Sequence, residues 1–251
     1  MVVNQALRGL KVLVTRPAAQ TEKLVSLLTQ QQAEPVIFPL IEIKAIDAGS
    51  WPIIDWRKVD WLIFVSRNAV QHFCAGLPKK LPARLQCAAV GNGTAQAMHE
   101  QRLTVSLQPE KSNGSEGLLA LPDMQQLQDK KIVIVRGQGG RELLADTLQA
   151  RGAKIRYIEV YRRQLPKVSN EQKTAALQAD ILLATSVQSV TNLLAIFAEN
   201  TRQILSKPLV VVSERIRQYA QAQGFSKVVV TDTASDEAIM QRLTEIGAEH
   251  G

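Results

Sequence analysis

The sequence predicts an α/β protein with two doubly wound parallel sheets. Short aliphatic and β-branched runs alternate with helical periodicity along the whole chain, and the central runs are apolar throughout, as in strands covered on both faces. The second half also repeats the first at a constant offset of 120 residues: 11–16 matches 131–136, and 60–66 matches 180–186. A repeat of this length is the size of a small domain, so we expect two similar domains facing each other across a ligand-binding cleft.

Each copy supplies five predicted strands, the number in a flavodoxin-like sheet. The predicted strands are 11–15, 35–46, 61–66, 88–91, 104–107, 131–136, 154–164, 181–186, 209–213 and 227–231. The predicted helices are 19–32, 67–76, 93–101, 115–121, 140–151, 169–178, 187–198, 214–223 and 235–246. Because strand and helix alternate throughout, we expect parallel sheets.

Two of the predicted strands, 35–46 and 154–164, are longer than the usual strand of about 5–6 residues. They occupy equivalent places in the two copies. A strand of this length can leave one domain and enter the other, and two such strands can pair as a connector. The first β-α-β unit of each copy would then complete the sheet of the other copy. The periodicity also permits two sequential domains.

Composition narrows the classes of partner. The 30 basic and 23 acidic residues give a formal net charge of +7, which favours an anionic ligand. Aromatic residues make up 4% of the chain and no long basic run occurs, both of which argue against nucleic acid. No segment approaches the length of a membrane span, so we expect a soluble, cytoplasmic protein. Cys74 and Cys87 lack ligand spacing, so we predict buried free thiols and no metal site.

Small polar residues follow the predicted strands at the edge where doubly wound sheets bind ligands. Each such turn offers backbone N–H groups and a hydroxyl to carboxylate or phosphate oxygens, although helix capping explains any single turn as well. The hydroxyl residues in these turns include Ser66, Thr94, Ser115, Ser186 and Ser213.

Arg16 and Arg136 end equivalent strands in the two copies. An arginine in this place can form a bidentate contact with a carboxylate, or it can belong to a structural ion pair. Arg136 opens a glycine-rich turn, but that turn lacks the third glycine and the acidic residue of a dinucleotide site. We therefore favour a carboxylate ligand over a nucleotide.

Tyr157 and Tyr161 lie four residues apart on a predicted long strand, so both are expected on the same face. A phenol that faces the ligand can donate a proton to a leaving oxygen. The alternative is that these rings pack against the connector.

Six short motifs then follow one another in an order that resembles the uroporphyrinogen-III synthase family. They are Val-Thr-Arg-Pro (14–17), Phe-Val-Ser-Arg-Asn-Ala-Val (64–70), Val-Gly-Asn-Gly-Thr-Ala (90–95), Val-Arg-Gly (135–137), Ile-Glu-Val-Tyr-Arg (158–162) and Ala-Thr-Ser (184–186). The resemblance implies two flavodoxin-like domains joined by a two-stranded β connector. Domain 1 then comprises 1–38 plus 167–251, domain 2 comprises 43–160, and the connector strands are about 36–46 and 156–165.

The resemblance further implies a cofactor-free, metal-free, monomeric enzyme of haem biosynthesis. Such a carbon–oxygen lyase closes the linear tetrapyrrole hydroxymethylbilane and inverts the last ring. Tyr161 matches the tyrosine that assists departure of the hydroxyl, and Thr94 matches a residue lining the cleft. Ser66, Ser115, Ser186 and Ser213 lie at turns similar to those that contact carboxylate arms. The alternative is a two-domain binding or regulatory protein for an anionic metabolite, without chemistry.

Overall fold

The computed structural model describes residues 6–17, 21–77, 81–110 and 114–249. The strands in these ranges are β1 (Lys11–Val14), β2 (Glu34–Ile37), β3 (Glu42–Ala45), β4 (Trp61–Phe64), β5 (Gln86–Ala89), β6 (Lys131–Gly137), β7 (Lys154–Gln164), β8 (Ile181–Ala184), β9 (Leu209–Val211) and β10 (Val228–Val230). The α-helices are α1 (Glu22–Gln30), α2 (Arg67–Gly76), α3 (Asn92–Glu100), α4 (Ser115–Leu119), α5 (Leu143–Ala150), α6 (Asn170–Leu177), α7 (Val187–Ile196), α8 (Thr201–Leu205), α9 (Glu214–Ala222) and α10 (Asp236–Ala248). The helix predicted over 19–32 begins at residues 19 and 20, which lie outside the described residues.

The chain divides into two compact units. Met1–Glu42 and Gln164–Gly251 form the first unit, and Ile43–Arg163 forms the second. The backbone passes between the units at the start of β3 and at the end of β7.

The sheet of the first unit has the order β10-β9-β8-β1-β2, and its neighbouring strands pair in parallel. Numbered along the unit, this order is 2-1-3-4-5, which is the flavodoxin-like arrangement. Pro35 lies in β2 at the edge of the sheet, where its missing N–H interrupts no ladder on the outer side. The predicted fold class is confirmed.

The sheet of the second unit has the order β3-β7-β6-β4-β5. β6 and β7 correspond to β1 and β2 in the sequence repeat, so the run β7-β6-β4-β5 repeats the order 2-1-3-4. Leu107, which forms a parallel bridge with Ala88, takes the fifth place. The first β-α-β unit of each sequence copy thus lies in the sheet that holds the remaining strands of the other copy.

The prediction of one long strand over 35–46 is wrong. β2 ends at Ile37 and β3 begins at Glu42. Pro39 has no N–H to donate to a ladder, and the side chains on either side of it, Phe38 and Leu40, are buried in the core. The equivalent strand β7 carries Glu159 in place of the proline and continues for 11 residues, as predicted.

The predicted strand 104–107 is reduced to the single bridge at Leu107. The Leu107 N–H donates to the carbonyl of Cys87 over 3.3 Å, and the Ala89 N–H donates to the carbonyl of Leu107 over 3.0 Å. The next donor in a parallel ladder would be residue 109, which is a proline. The ladder therefore stops there.

Successive residues of each central strand enter cores on opposite faces of the sheet. In β4, Leu62 and Phe64 pack into one core, whereas Trp61 and Ile63 pack into another. The all-apolar strands of the sequence are thus explained by helices on both faces.

Candidate active site

A cavity of about 280 Å³ lies at the carboxyl ends of β4 and β6, within the unit Ile43–Arg163. This is the edge at which doubly wound sheets bind ligands. The polar side chains lining it are those of Ser66, Ser115, Arg136, Arg141, Tyr157, Tyr161 and Arg163. The structure therefore brings together four of the predicted site residues: Ser66, Ser115, Arg136 and Tyr161.

Tyr161 is the most deeply buried of these polar side chains, with 2% of its surface exposed. Its hydroxyl lies 3.3 Å from Ser66 Oγ and accepts a hydrogen bond from Arg163 Nη2, also over 3.3 Å. The ring packs in the core of the unit and lies 5.7 Å from the imidazole of His72, centre to centre. A buried phenol with its oxygen at a cavity wall is well placed to exchange a proton with a ligand.

A β-bulge in β7 determines where Tyr161 points. The register steps from Arg136 opposite Glu159 to Gly137 opposite Tyr161, so β7 carries one extra residue at this point. A bulge interrupts the alternation of faces and re-aims the side chains beyond it. Tyr161 consequently joins the core that contains Val160.

The prediction that Tyr157 and Tyr161 share a strand face is wrong. Tyr157 packs against the core on the other face, because the bulge lies between the two rings. Both side chains still line the cavity. The hydroxyl of Tyr157 donates to Glu142 Oε2, and burial, followed by the hydrogen bond and charge of Glu142, raises the pKa of Tyr157 to about 12. A phenol with this pKa stays protonated near neutral pH.

Ser66 begins α2 as its N-cap. Its Oγ accepts a hydrogen bond from the Ala69 N–H over 3.1 Å, which satisfies one of the free donors of the first turn. The same oxygen lies within reach of the Tyr161 hydroxyl. Ser66 therefore both caps α2 and lies beside the Tyr161 hydroxyl.

Arg136 is buried, with 7% of its surface exposed. Nη2 donates to Glu142 over 2.8 Å, Nε donates to Glu159 over 3.4 Å, and the guanidinium carbon lies 4.0 Å from the ring centre of Tyr157. Burial lowers the pKa of Arg136, but the hydrogen bonds and charges of its partners, led by Glu142, outweigh burial and hold that pKa above its ordinary value. Among the described residues, Nη1 is buried without a hydrogen-bond partner. Arg136 thus lines the cavity and also holds one buried donor that is not committed to a partner.

Glu142 is the acidic partner of this group. The hydrogen bond from Arg136, followed by that from Tyr157, holds the pKa of Glu142 below its ordinary value. The carboxylate is therefore charged near neutral pH and neutralises part of the positive charge at the cavity.

Ser115 and Thr94 lie in the first turns of two consecutive helices, α4 and α3. Ser115 is the first residue of α4, follows Gly114 (φ 99°) and lines the cavity. Thr94 lies in the first turn of α3 and is buried, outside the lining of this cavity. The cavity thus includes Ser115 but not Thr94.

The other three predicted residues lie in the first unit. Arg16 donates to Asp236 and, over 3.2 Å, to the carbonyl of Ala234. Ser186 caps α7, and its Oγ lies 2.8 Å from Ser189 Oγ. Ser213 precedes α9, and within the described residues its hydroxyl makes no capping hydrogen bond. Each lies at a strand end of its own sheet, as predicted.

Sequence reasoning missed two arginines of the cavity, Arg141 and Arg163. It also assigned Gly137 to the turn, whereas this glycine packs against Tyr161: a Cβ there would lie 2.4 Å from the Tyr161 Cζ. A two-residue spacing on one strand was the available signal for Arg163, since it places that side chain on the same face as Tyr161.

No group of three or more His, Cys, Asp or Glu suited to holding a metal occurs among the described residues. Cys87 is buried, and that burial raises the pKa of its thiol to about 11, so the thiol is inert near neutral pH. Within the described ranges, none of the helices has the length and apolar character needed to cross a membrane.

Comparisons with known proteins all indicate the same family. The family model described as uroporphyrinogen-III synthase HemD matches residues 22–241. Uroporphyrinogen-III synthases of Escherichia coli K12 and Salmonella typhimurium LT2 are 31% and 30% identical to this chain over 245 residues, covering 93% of it and 100% of each relative. The crystal structure of uroporphyrinogen-III synthetase from Helicobacter pylori 26695 matches with a TM-score of 0.66 at 18% identity, covering 95% of this chain and 99% of that one. At that identity, the structural match bears on the fold.

Proposed function

This chain belongs to the uroporphyrinogen-III synthase family, and we propose that it closes hydroxymethylbilane into uroporphyrinogen III with inversion of the last ring and loss of water. The substrate is a flexible linear tetrapyrrole with carboxylate arms on every ring and a hydroxyl that has to leave. The reaction class is that of a carbon–oxygen lyase in haem biosynthesis.

One observation carries this proposal: the hydroxyl of Tyr161 is held at the wall of a cavity that three arginines of the described residues line. Arg136 and Arg141 match the carboxylate arms, and the phenol matches the departing hydroxyl. Arg136 adds a buried donor, Nη1, that a carboxylate oxygen can satisfy.

The first step in this proposal transfers the Tyr161 proton to the hydroxyl of the substrate. The carbon–oxygen bond breaks, water leaves, and the ring nitrogen supplies the electron pair that forms an azafulvene. The substituted carbon of the last ring then attacks this electrophile and gives a spiro intermediate. Fragmentation and reclosure invert the ring, and the proton that the ring loses balances the one that Tyr161 supplied.

Orientation is the main contribution of the protein. Unassisted closure occurs at the free carbon of the last ring and gives the uninverted isomer, so the enzyme has to hold one folded geometry of a flexible chain. Holding reacting groups in place can contribute about 7–11 kcal/mol to lowering a barrier. Arg136, which is buried and held by Glu142 and Glu159, can supply such restraint through a carboxylate arm.

The remaining predicted residues complete the proposal. We expect Arg16, Thr94, Ser186 and Ser213 to contact further carboxylate arms, in addition to Ser66, Ser115 and Arg136 at the cavity. The domains in this proposal are 1–38 plus 167–251 and 43–160, joined by the segments at about 36–46 and 156–165. The first of these segments is not one strand, since β2 ends at Ile37 and β3 begins at Glu42. We expect the protein to act as a monomer in the cytoplasm, without nucleic acid or cofactor.

Incubation with freshly made hydroxymethylbilane, followed by separation of the macrocycle isomers, tests the function. The expected product is the inverted isomer, formed faster than the uninverted isomer appears in a protein-free control. Formation of the uninverted isomer alone, at the protein-free rate, would contradict the proposal. Binding of the bilane without turnover would instead support a binding or regulatory protein.

A further inference from the structure

The hydroxyl of Tyr161 has two close polar neighbours, Arg163 and Ser66, and the proton transfer proposed above assigns a role to neither of them. We propose that one of these, Arg163, is a positioning residue that orients the Tyr161 hydroxyl and stabilises it when its proton leaves. This inference rests on the proposed role of Tyr161.

The direction of the contact between Arg163 and Tyr161 is unambiguous. Arg163 Nη2 lies 3.3 Å from the Tyr161 oxygen. A guanidinium carries donors and no acceptor, so the phenol oxygen accepts this hydrogen bond. The phenolic proton is therefore directed away from Arg163 and remains available to another acceptor.

Ser66 is the second neighbour of the phenol. Its Oγ lies 3.3 Å from the Tyr161 oxygen and already accepts the N–H of Ala69. Ser66 and the leaving hydroxyl of a ligand in the cavity are thus the two acceptors offered to the Tyr161 proton. Arg163 can orient the Tyr161 hydroxyl with either acceptor, because its hydrogen bond uses a lone pair of the phenol oxygen and leaves the phenol proton free.

The backbone explains why Arg163 reaches this oxygen. Arg163 follows Tyr161 by two residues on β7, which places the two side chains on one face beyond the bulge. The guanidinium carbon lies 5.7 Å from the centre of the Tyr161 ring. Gly137 also packs against the Tyr161 ring, since a Cβ there would lie 2.4 Å from the ring. The ring is therefore confined, and Arg163 donates a hydrogen bond to its oxygen.

The positive charge of Arg163 also matters during the reaction. Once the proton has moved to the leaving hydroxyl, the phenol oxygen is negative. Arg163 itself is exposed, but the ring beside it is buried, and a guanidinium next to a developing negative charge lowers the energy of the transition state. The same hydrogen bond holds the phenolate in place until a proton returns.

Kinetics of Arg163→Met test the proposal, because this substitution keeps the apolar stem and removes the donor and the charge. We expect kcat for the inverted isomer to fall about 10- to 100-fold, within the range for general acid catalysis. KM should stay within about threefold of wild type, because the interaction acts in the transition state. Arg163→Lys should recover part of kcat, since lysine restores a charged donor.

The combination with Tyr161→Phe separates positioning from substrate binding. In the double variant Tyr161→Phe/Arg163→Met, kcat should equal that of Tyr161→Phe alone, because the arginine then has no hydroxyl to orient. Arg156→Met is the matched control: it lies on the same strand but donates to the carbonyl of Ile53, and wild-type kcat is expected. Circular dichroism and thermal unfolding of each variant verify the fold.

Multiplying effects in the double variant, or a rise in KM with kcat unchanged, would overturn the role of Arg163 and leave the proposed function intact. A Tyr161→Phe variant with wild-type kcat would overturn it as well. Failure of the proposed function itself gives a different result, since the wild-type protein would then form no inverted isomer.

Discussion

The carboxyl edges of the two sheets differ sharply in side-chain chemistry although they occupy equivalent places in the sequence repeat. At the offset of 120 residues, Gly137, Tyr157, Tyr161 and Arg163 correspond to Pro17, Ile37, Ile41 and Ile43. The edge of the second unit therefore carries phenols, a guanidinium and a glycine that admits a ring. The corresponding positions of the first sequence copy carry side chains without a donor or a titratable group, and the last of them, Ile43, already lies in the second unit. The two copies share the strand order, and in our proposal only the second carries the groups for proton transfer.

Arg16 and Arg136 occupy equivalent positions in the two copies but have different partners. Arg16 is held by Asp236 and a backbone carbonyl, with 13% of its side chain exposed. Arg136 has two carboxylate partners and a phenol ring, and in the described structure it keeps one buried nitrogen without a partner. Arg16 can therefore contact a carboxylate arm only by sharing or giving up these partners, whereas Arg136 keeps one donor that is not yet used.

The largest expected effect is that of Tyr161→Phe. Loss of the hydroxyl removes the proposed general acid, so kcat for hydroxymethylbilane should fall by about 10²- to 10⁴-fold. Ile41→Leu, at the corresponding position of the other copy, should keep wild-type kcat. Rates are measured by separating the isomers at early times. Equal rates for Tyr161→Phe and wild type, with the fold intact, would remove the assigned role.

Arg136→Met and Arg16→Met test whether the two arginines contribute differently to substrate binding. Arg136→Met removes a charge-assisted contact with the substrate, worth about 1.5–3 kcal/mol, so KM should rise at least about tenfold. Arg16→Met should change KM less, because its donors are already used by Asp236 and Ala234. It should instead lower the free energy of unfolding by about 1–3 kcal/mol, since Asp236 loses its partner.

Steady-state KM and urea unfolding of both variants check this prediction. Similar increases in KM for the two substitutions would show that both copies bind the substrate with equivalent arginines, and the proposed asymmetry would be lost at this position.

Gly137→Ala tests the packing of the Tyr161 ring. The added methyl group would meet the ring at 2.4 Å, and overpacking of this kind costs about 1–3 kcal/mol. We expect a lower free energy of unfolding together with a lower kcat, because the hydroxyl is displaced from the cavity wall. In the control Gly93→Ala the nearest atom lies at 3.4 Å, so stability should be unchanged or slightly higher. Equal stability of the two variants would argue against a confined ring.

The smallest effect concerns pH. Burial lowers the pKa of His72, so the folded state favours the neutral imidazole. The unfolded chain has the ordinary pKa of about 6.5, so the free energy of unfolding should be greatest above this pH and fall as the pH decreases through it. Partial solvation limits the loss to less than about 1 kcal/mol.

The counterpart of His72 in the other copy is Asn192, which does not titrate. His72→Asn should therefore remove this part of the pH dependence. Urea unfolding of wild type and variant between about pH 7.5 and about pH 5 is the check. An unchanged pH dependence in the variant would assign the effect to another group.

The architecture was largely predictable from the sequence because its signals are repeated. The strands β6 and β7 and the helix α2 agree with prediction to within a residue. The interruption at Pro39 was also visible in principle, since proline cannot donate to a ladder. The bulge in β7 was not predictable, because no glycine or proline marks it.

The sequence predicts the edge of the sheet at which the candidate site lies, but it does not predict the contacts among the side chains there. Turn residues identified Ser66, Ser115 and Arg136, because strand ends follow from the strands themselves. The two-residue spacing between Tyr161 and Arg163 was visible in the sequence and places both side chains on one face. Which face this is depends on the bulge before Tyr161, and periodicity does not reveal the bulge.

A crystal structure of the protein with bound uroporphyrinogen III would show whether the cavity of the second unit holds the ligand. We expect product carboxylates at Arg136, and the Tyr161 oxygen within hydrogen-bonding distance, about 3.5 Å or less, of product atoms or of one bridging water. Product bound away from Ser66, Ser115, Arg136 and Tyr161, or held through the first unit alone, would contradict it.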